Sequence, residues 1–153
     1  GFSMGAQVLL WLAAHHPDRF GRLVVSGIGR NLFESDVEWR PKMVEAVRTG
    51  VAATPELRYF AQLPESPDAD RTALVAFLER PDRREFPPEL LASVTLPVLV
   101  VIGGADLAGP ADPLVDALPD ASLVVLPGVD HFATPKNFSF IEAALDFIDA
   151  QPF

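Results

Sequence analysis

Gly1-Phe2-Ser3-Met4-Gly5 runs straight into Ala6-Gln7-Val8-Leu9-Leu10-Trp11-Leu12-Ala13-Ala14-His15-His16-Pro17, and the fold is decided at that junction. Val8, Leu9, Leu12 and Ala13 recur at helical spacing and Pro17 stops the run, which predicts a helix from Met4 to His16. Ser3 then stands at the threshold of that helix, inside a G-x-S-x-G pentapeptide. A serine at a tight strand-to-helix turn takes a strained backbone, and glycine two residues to either side keeps neighbouring side chains clear of the turn. The hydroxyl is held out at the top of a sheet, while the Met4 amide and the helix N-terminus face an oxyanion forming on a substrate carbonyl. Ser3 is the candidate nucleophile and Met4 the candidate oxyanion-hole donor.

Outward from that junction, three apolar runs end in turn residues. They are Leu23–Ser26, closed by Gly27 and Gly29; Pro97–Ile102, closed by Gly103-Gly104; and Ser122–Leu126, closed by Pro127-Gly128. All three read as parallel strands covered by helices on both faces. Between the first and second lies a segment of different character, with helices over Pro41–Arg48, Thr54–Gln62 and Asp68–Glu79, each with proline near its first turn or a capping Thr or Asp. A short helix follows around Pro113 to Leu118, where Asp112 reads as the N-cap. Phe138, Ile141, Leu145 and Ile148 predict a closing amphipathic helix laid over the sheet. The order predicts an α/β fold with a parallel sheet. Residues 1–29 form the turn, helix and first strand, 30–93 a helical insertion, and 94–153 the remaining strands and the last helix.

Composition narrows the partners. A chain of 153 residues bounds the protein to one domain at most. A net charge of -9 disfavours a phosphate backbone, so no nucleic-acid partner is expected. No apolar run approaches the roughly eighteen residues that span a bilayer, so no membrane partner is expected either. Zero cysteine removes disulfides, thiolate metal sites and cysteine nucleophiles together. No H-E-x-x-H is present and no histidine pair shares a helical face with a carboxylate, so no metal and no cofactor are expected. Gly27-Ile28-Gly29 is not a dinucleotide loop, because Leu32 stands where a third glycine is needed. The expected compartment is the cytoplasm.

A serine hydroxyl needs a general base, normally a histidine oriented by a carboxylate. Asp106 follows the second strand and His131 the third, both just past the carboxyl ends where ligands bind in open α/β sheets. Asp130 and Asp112 compete with Asp106; Asp130 adjoins His131 and could rarely reach its ring. Glu34 and Asp36 are the candidates if the acid follows the earlier strand. His15 and His16 sit at the end of the first helix, where cationic side chains favour the dipole, and read as surface residues.

These motifs resemble the α/β-hydrolase fold family, in its Ser-nucleophile branch of esterases, lipases and cofactor-free haloperoxidases. The resemblance rests on Gly1-Phe2-Ser3-Met4-Gly5, the His16–Phe20 turn before Leu23–Gly27, Pro97–Asp106, and Leu126–Phe132. It implies Ser3 as nucleophile, His131 as general base and acid, Asp106 as the orienting carboxylate, and a small ester or related carbonyl compound hydrolysed through an acyl-enzyme. Acyl transfer, perhydrolysis and C–C bond hydrolysis use the same triad. It further implies that the insertion is a cap, with Trp39, Met43 and Phe60 joining Phe2 and Phe132 as substrate contacts, the alternative being that the cap aromatics hold their own helices together. The likeness covers only the second half of such a domain, starting at the nucleophile elbow. A missing N-terminal half or a complementing chain is therefore the expected partner, and a non-catalytic remnant or interaction module the alternative reading.

Overall fold

The computed structural model describes residues 1–34, 38–80 and 85–150, grouped in two units, Gly1–Glu34 with Glu85–Phe153 and Ser35–Arg84. In the first unit the three apolar runs pair as parallel strands in the order β1 (Leu23–Ser26), β2 (Val98–Gly103), β3 (Ala121–Leu126). Leu23 lies beside Val98 and Val98 beside Ala121, so the strands start level and their carboxyl ends share one edge. Every residue of the central strand β2 is buried. Alternation along it divides the core.

On one face Val98, Val100 and Ile102 pack with Leu23 and Val25 against α1 (Met4–His15), α5 (Pro88–Ala92) and α6 (Asp112–Ala117) through Leu10, Leu91 and Leu114. On the other, Leu99, Val101 and Leu126 meet Phe140, Ala143 and Phe147 of α7 (Phe138–Phe147). Each of the fully buried leucines contributes about 1.5–3 kcal/mol of hydrophobic stabilisation. β3 departs from the expectation of two covered faces: among the described residues it is an edge strand, and Val125 is half exposed.

The long helices of this unit turn their faces from the ones their spacing suggested, α1 in part and α7 altogether. α1 buries Ala6, Leu10 and Ala13, of which only Ala13 belongs to the stripe of Val8, Leu9, Leu12 and Ala13, while Leu9 packs partly buried against the same core. In α7 the stripe of Phe138, Ile141, Leu145 and Ile148 points outward, with Phe138 81% exposed, while Phe140, Ala143 and Phe147 pack on the sheet. From 138 to 148 only Ser139, Glu142 and Asp146 are polar, so two apolar stripes compete. The small side chain of Ala143 lets the helix approach the strands closely, which favours its stripe. Asp112 is the first residue of α6 and not its cap; Ala111 holds that position.

The second unit has its own core, Ala46, Leu57 and Ala61 with Trp39, Met43, Ala52 and Phe60 around them. Its helices are α2 (Trp39–Thr49), α3 (Leu57–Gln62) and α4 (Arg71–Glu79). Gly50 ends α2 at φ 75°, a left-handed value glycine adopts without steric cost. Asp70 caps α4, its carboxylate accepting from the Ala73 amide at 3.0 Å. The unit is smaller than the 30–93 insertion expected from composition. Residues 30–34 and 85–93 group with the sheet, because Phe86, Leu91 and Val94 are buried in its core and the Arg30 amide donates to Pro110 O at 2.9 Å. Among the described residues no helix is long and apolar enough to cross a membrane.

Candidate active site

Ser3 stands between Phe2, which bridges to Ser26 at the carboxyl end of β1, and the first residue of α1. Its φ of 51° is in the left-handed region, which costs a non-glycine residue about 1–3 kcal/mol unless its surroundings hold it there. They do so through backbone bonds: the Ser3 amide donates to Ser26 O at 2.7 Å, and the Gly5 amide to Phe2 O at 2.8 Å. The need for glycine is unequal on the two sides. A Cβ at Gly1 would sit 2.7 Å from Gly5 O, whereas one at Gly5 would meet nothing within 4 Å among the described residues. Packing thus accounts for the first glycine of the pentapeptide and not for the second. The Ser3 hydroxyl makes no capping bond to the helix. It lies 3.1 Å from His131 Nε2 instead.

Two loops beyond the carboxyl edge bring the other candidates to it. After β2 the chain turns through Gly103-Gly104, and a Cβ on Gly103 would meet Val129 O at 2.2 Å, so only glycine lets the two loops touch. The Ala105 amide then donates to Val129 O at 3.0 Å and ties the Asp106 loop to the His131 loop. Asp106 Oδ1 accepts from His131 Nδ1 and from the Ala108 amide, each at 2.8 Å. With a carboxylate on that side, the ring carries its hydrogen on Nδ1 and offers the Nε2 lone pair to Ser3. Both side chains are shielded, 0% exposed for Asp106 and 6% for His131. Asp106 Oδ2 and Ser26 Oγ are buried without a partner among the described residues.

The competing carboxylates go elsewhere. Asp130 accepts from the Ala133 amide at 2.8 Å and so shapes the His131 loop. Glu34 pairs with Arg30, Asp112 opens α6, and Asp36 lies outside the described residues. His15 and His16 are exposed, His15 bonding Trp11 O at 2.8 Å. The Met4 amide opens α1, where it has no intrahelical acceptor, and no protein acceptor is found for it among the described residues.

Of the proposed substrate contacts, Phe2 and Phe132 flank the imidazole, with ring centroids 4.7 and 5.2 Å from it. Trp39, Met43 and Phe60 pack within the second unit, Trp39 edge-on to Phe60 at 6.3 Å. The sequence reading overlooked two residues. Ala108 supplies the second donor to Asp106, and Gly27 lies beside the imidazole at φ 67°. The signal for Gly27 was its place immediately after a strand, at the edge where ligands bind.

The arrangement can take a proton from a hydroxyl, hold it on an oriented imidazole, and present a free amide to an oxyanion. A family model described as the alpha/beta hydrolase family matches residues 1–149. A search of curated proteins returned no match. Among solved structures, a serine hydrolase involved in carbazole degradation is 25% identical with a TM-score of 0.66, over 99% of this chain and 62% of that one. An alpha/beta hydrolase from a Medee basin deep-sea metagenome library is 21% identical with a TM-score of 0.71, over 100% of this chain and 65% of that one. The 2-hydroxy-6-oxo-6-phenylhexa-2,4-dienoate hydrolase of Rhodococcus sp. strain RHA1 is 25% identical with a TM-score of 0.55, over 98% of this chain and 63% of that one. The chain thus spans less than two thirds of the length of each of them.

Proposed function

The chain belongs to the alpha/beta hydrolase family, and from that premise we propose that it carries the reacting residues of a serine hydrolase acting on a small ester or related carbonyl compound. The observation that carries this reading is the unbroken relay from Ser3 Oγ through His131 to Asp106 Oδ1. Ser3 Oγ attacks the substrate carbonyl carbon as its proton passes to His131 Nε2. Asp106 holds the imidazole in the required tautomer and balances the imidazolium that forms. The oxyanion meets the Met4 amide at the positive end of α1. Collapse expels the leaving alkoxide, which takes the proton from Nε2 and leaves an acyl-serine. Water, deprotonated by the same nitrogen, then hydrolyses the acyl-serine and frees Ser3.

Polypeptide from outside residues 1–153 is proposed to complete the site, as a missing half-domain or a complementing chain. Two observations support this. The strand β1 bonds β2 through Leu23 and Val25, which leaves the Val24 amide on the open side where Gly1 already bonds Val24 O. An apolar groove of about 430 Å³ runs along that side between Leu9, Leu23, Phe140 and Ile148. The second oxyanion donor would come from this polypeptide. Hydrolysis of a C–C bond beside a ketone is the second reading, favoured by the likeness to a dienoate hydrolase whose substrate carries a 6-oxo group.

Fluorophosphonate labelling of the full-length chain, read by intact mass, tests the proposal. One adduct is expected on the wild type and none on Ser3→Ala. An unlabelled wild type, or a Ser3→Ala variant that still labels, overturns it. Turnover of a panel of short acyl esters and of a 6-oxo-dienoate then separates the two readings.

A further inference from the structure

We propose that Phe2 and Gly27 are positioning residues that together set the tilt of the His131 imidazole; this rests on His131 being the proton carrier proposed above. The ring is tied at its two nitrogens, at 2.8 and 3.1 Å. Together with the tether at Cγ these bonds set the mean plane of the ring, but hydrogen bonds bend easily and weaken steeply only below about 120°, so the ring can still rock within its slot. Contacts on its remaining surface narrow that range. Cε1, the atom between the nitrogens, faces Gly27, where an added Cβ would stand 3.0 Å from it. The same Cβ would stand 2.6 Å from Phe2 Cε2. Phe2 lies against the imidazole at a centroid distance of 4.7 Å and an interplanar angle of 40°. Gly27 is therefore the point where the two rings converge. Its hydrogen in place of a methyl group, together with φ 67°, allows both to rest on the backbone.

Phe2 adjoins the nucleophile, and its backbone bridges to Ser26, the residue before Gly27. One four-residue contact, Phe2-Ser3 against Ser26-Gly27, thus mounts the attacking oxygen and its base on a common support. A shift of about 1 Å in such a group costs on the order of 10²-fold in rate.

The test uses the full-length chain with Phe2→Leu, Phe2→Tyr, Gly27→Ala and the double variant Gly27→Ala/Phe2→Leu. Phe2→Leu is expected to lower kcat about tenfold with KM unchanged, and Gly27→Ala by roughly 10- to 100-fold. Phe2→Tyr retains most of the rate because it keeps the ring. The double variant is faster than Gly27→Ala alone, since the lost ring frees the space the methyl group needs. Independently of turnover, the His131 Cε1 proton resonance, which senses the ring current of a neighbouring aromatic, is expected to move in Phe2→Leu and to stay in Phe2→Tyr. A Phe2→Leu variant with raised KM and unchanged kcat, or with an unmoved His131 resonance, overturns the proposal. If Ser3 is not labelled by fluorophosphonate in the wild type, the hydrolase reading fails, and the resonance alone decides whether Phe2 holds the His131 ring.

Discussion

Replacing Asp106 by asparagine separates the charge of that residue from its geometry. Two hydrogens converge on the same oxygen, one from His131 Nδ1 and one from the Ala108 amide, each at 2.8 Å. Asparagine keeps a carbonyl oxygen there, because the flipped amide would turn its own NH2 against both donors. The imidazole consequently keeps its tautomer, and what disappears is the negative charge. Unit charges about 4 Å apart interact by about 4 kcal/mol at an effective dielectric of 20. Loss of that term when the imidazolium forms slows reaction on the order of 10³-fold. The NH2 falls where Asp106 Oδ2 lies, buried without a partner among the described residues, which costs about 1–3 kcal/mol of stability. The assay is the second-order rate of fluorophosphonate labelling by intact mass, with urea unfolding alongside, for Asp106→Asn and Asp130→Asn. Asp130 adjoins His131, but its carboxylate accepts from the Ala133 amide, and asparagine can accept in the same way, so this variant should label at the wild-type rate. Asp130→Asn slowed on the order of 10²-fold, beside Asp106→Asn within about tenfold of wild type, would refute the assignment.

Ser3→Gly and Ser3→Ala should both fail to label, yet Ser3→Gly should be the more stable to urea by about 1 kcal/mol, since glycine adopts φ 51° without steric cost. Equal stabilities would mean that the turn is not strained. On α7, Phe140→Ala should destabilise the protein by about 3 kcal/mol or more and Phe138→Ala by far less, because only Phe140 packs on the sheet. Thermal unfolding of the two variants checks which stripe is buried, and the reverse ranking would restore the stripe that spacing suggested.

What could be read without coordinates depended on how many physical constraints met at a position. Ser3, Asp106 and His131 were legible as candidates because each follows an apolar run closed by turn residues or opens a helix, where few residue types fit. The parallel sheet was legible for the same reason: two-sided apolar strands separated by helices allow few arrangements. Helix faces were not. α1 and α7 are apolar nearly all round, so periodicity offered competing stripes, and packing on the sheet chose Ala6, Leu10 and Ala13 in the one and Phe140, Ala143 and Phe147 in the other. The edge position of β3 was equally hidden, because its run Leu123–Leu126 is as apolar as β2. That residues 85–94 pack with the sheet was not legible either, since Leu91 and Val94 look like any helical leucine and valine until their neighbours are known.

Ala108 holds two structures at once. Its amide donates to the Asp106 carboxylate, and its carbonyl accepts from the Asn31 amide at 3.0 Å, at the root of the inserted helices. Anyone exchanging those helices for another set would need to splice beyond Glu34 and before Glu85. A graft cut closer in would discard Asn31 and loosen the peptide that keeps Asp106 in place, so a change confined to the helices would be felt in the loop that carries the carboxylate.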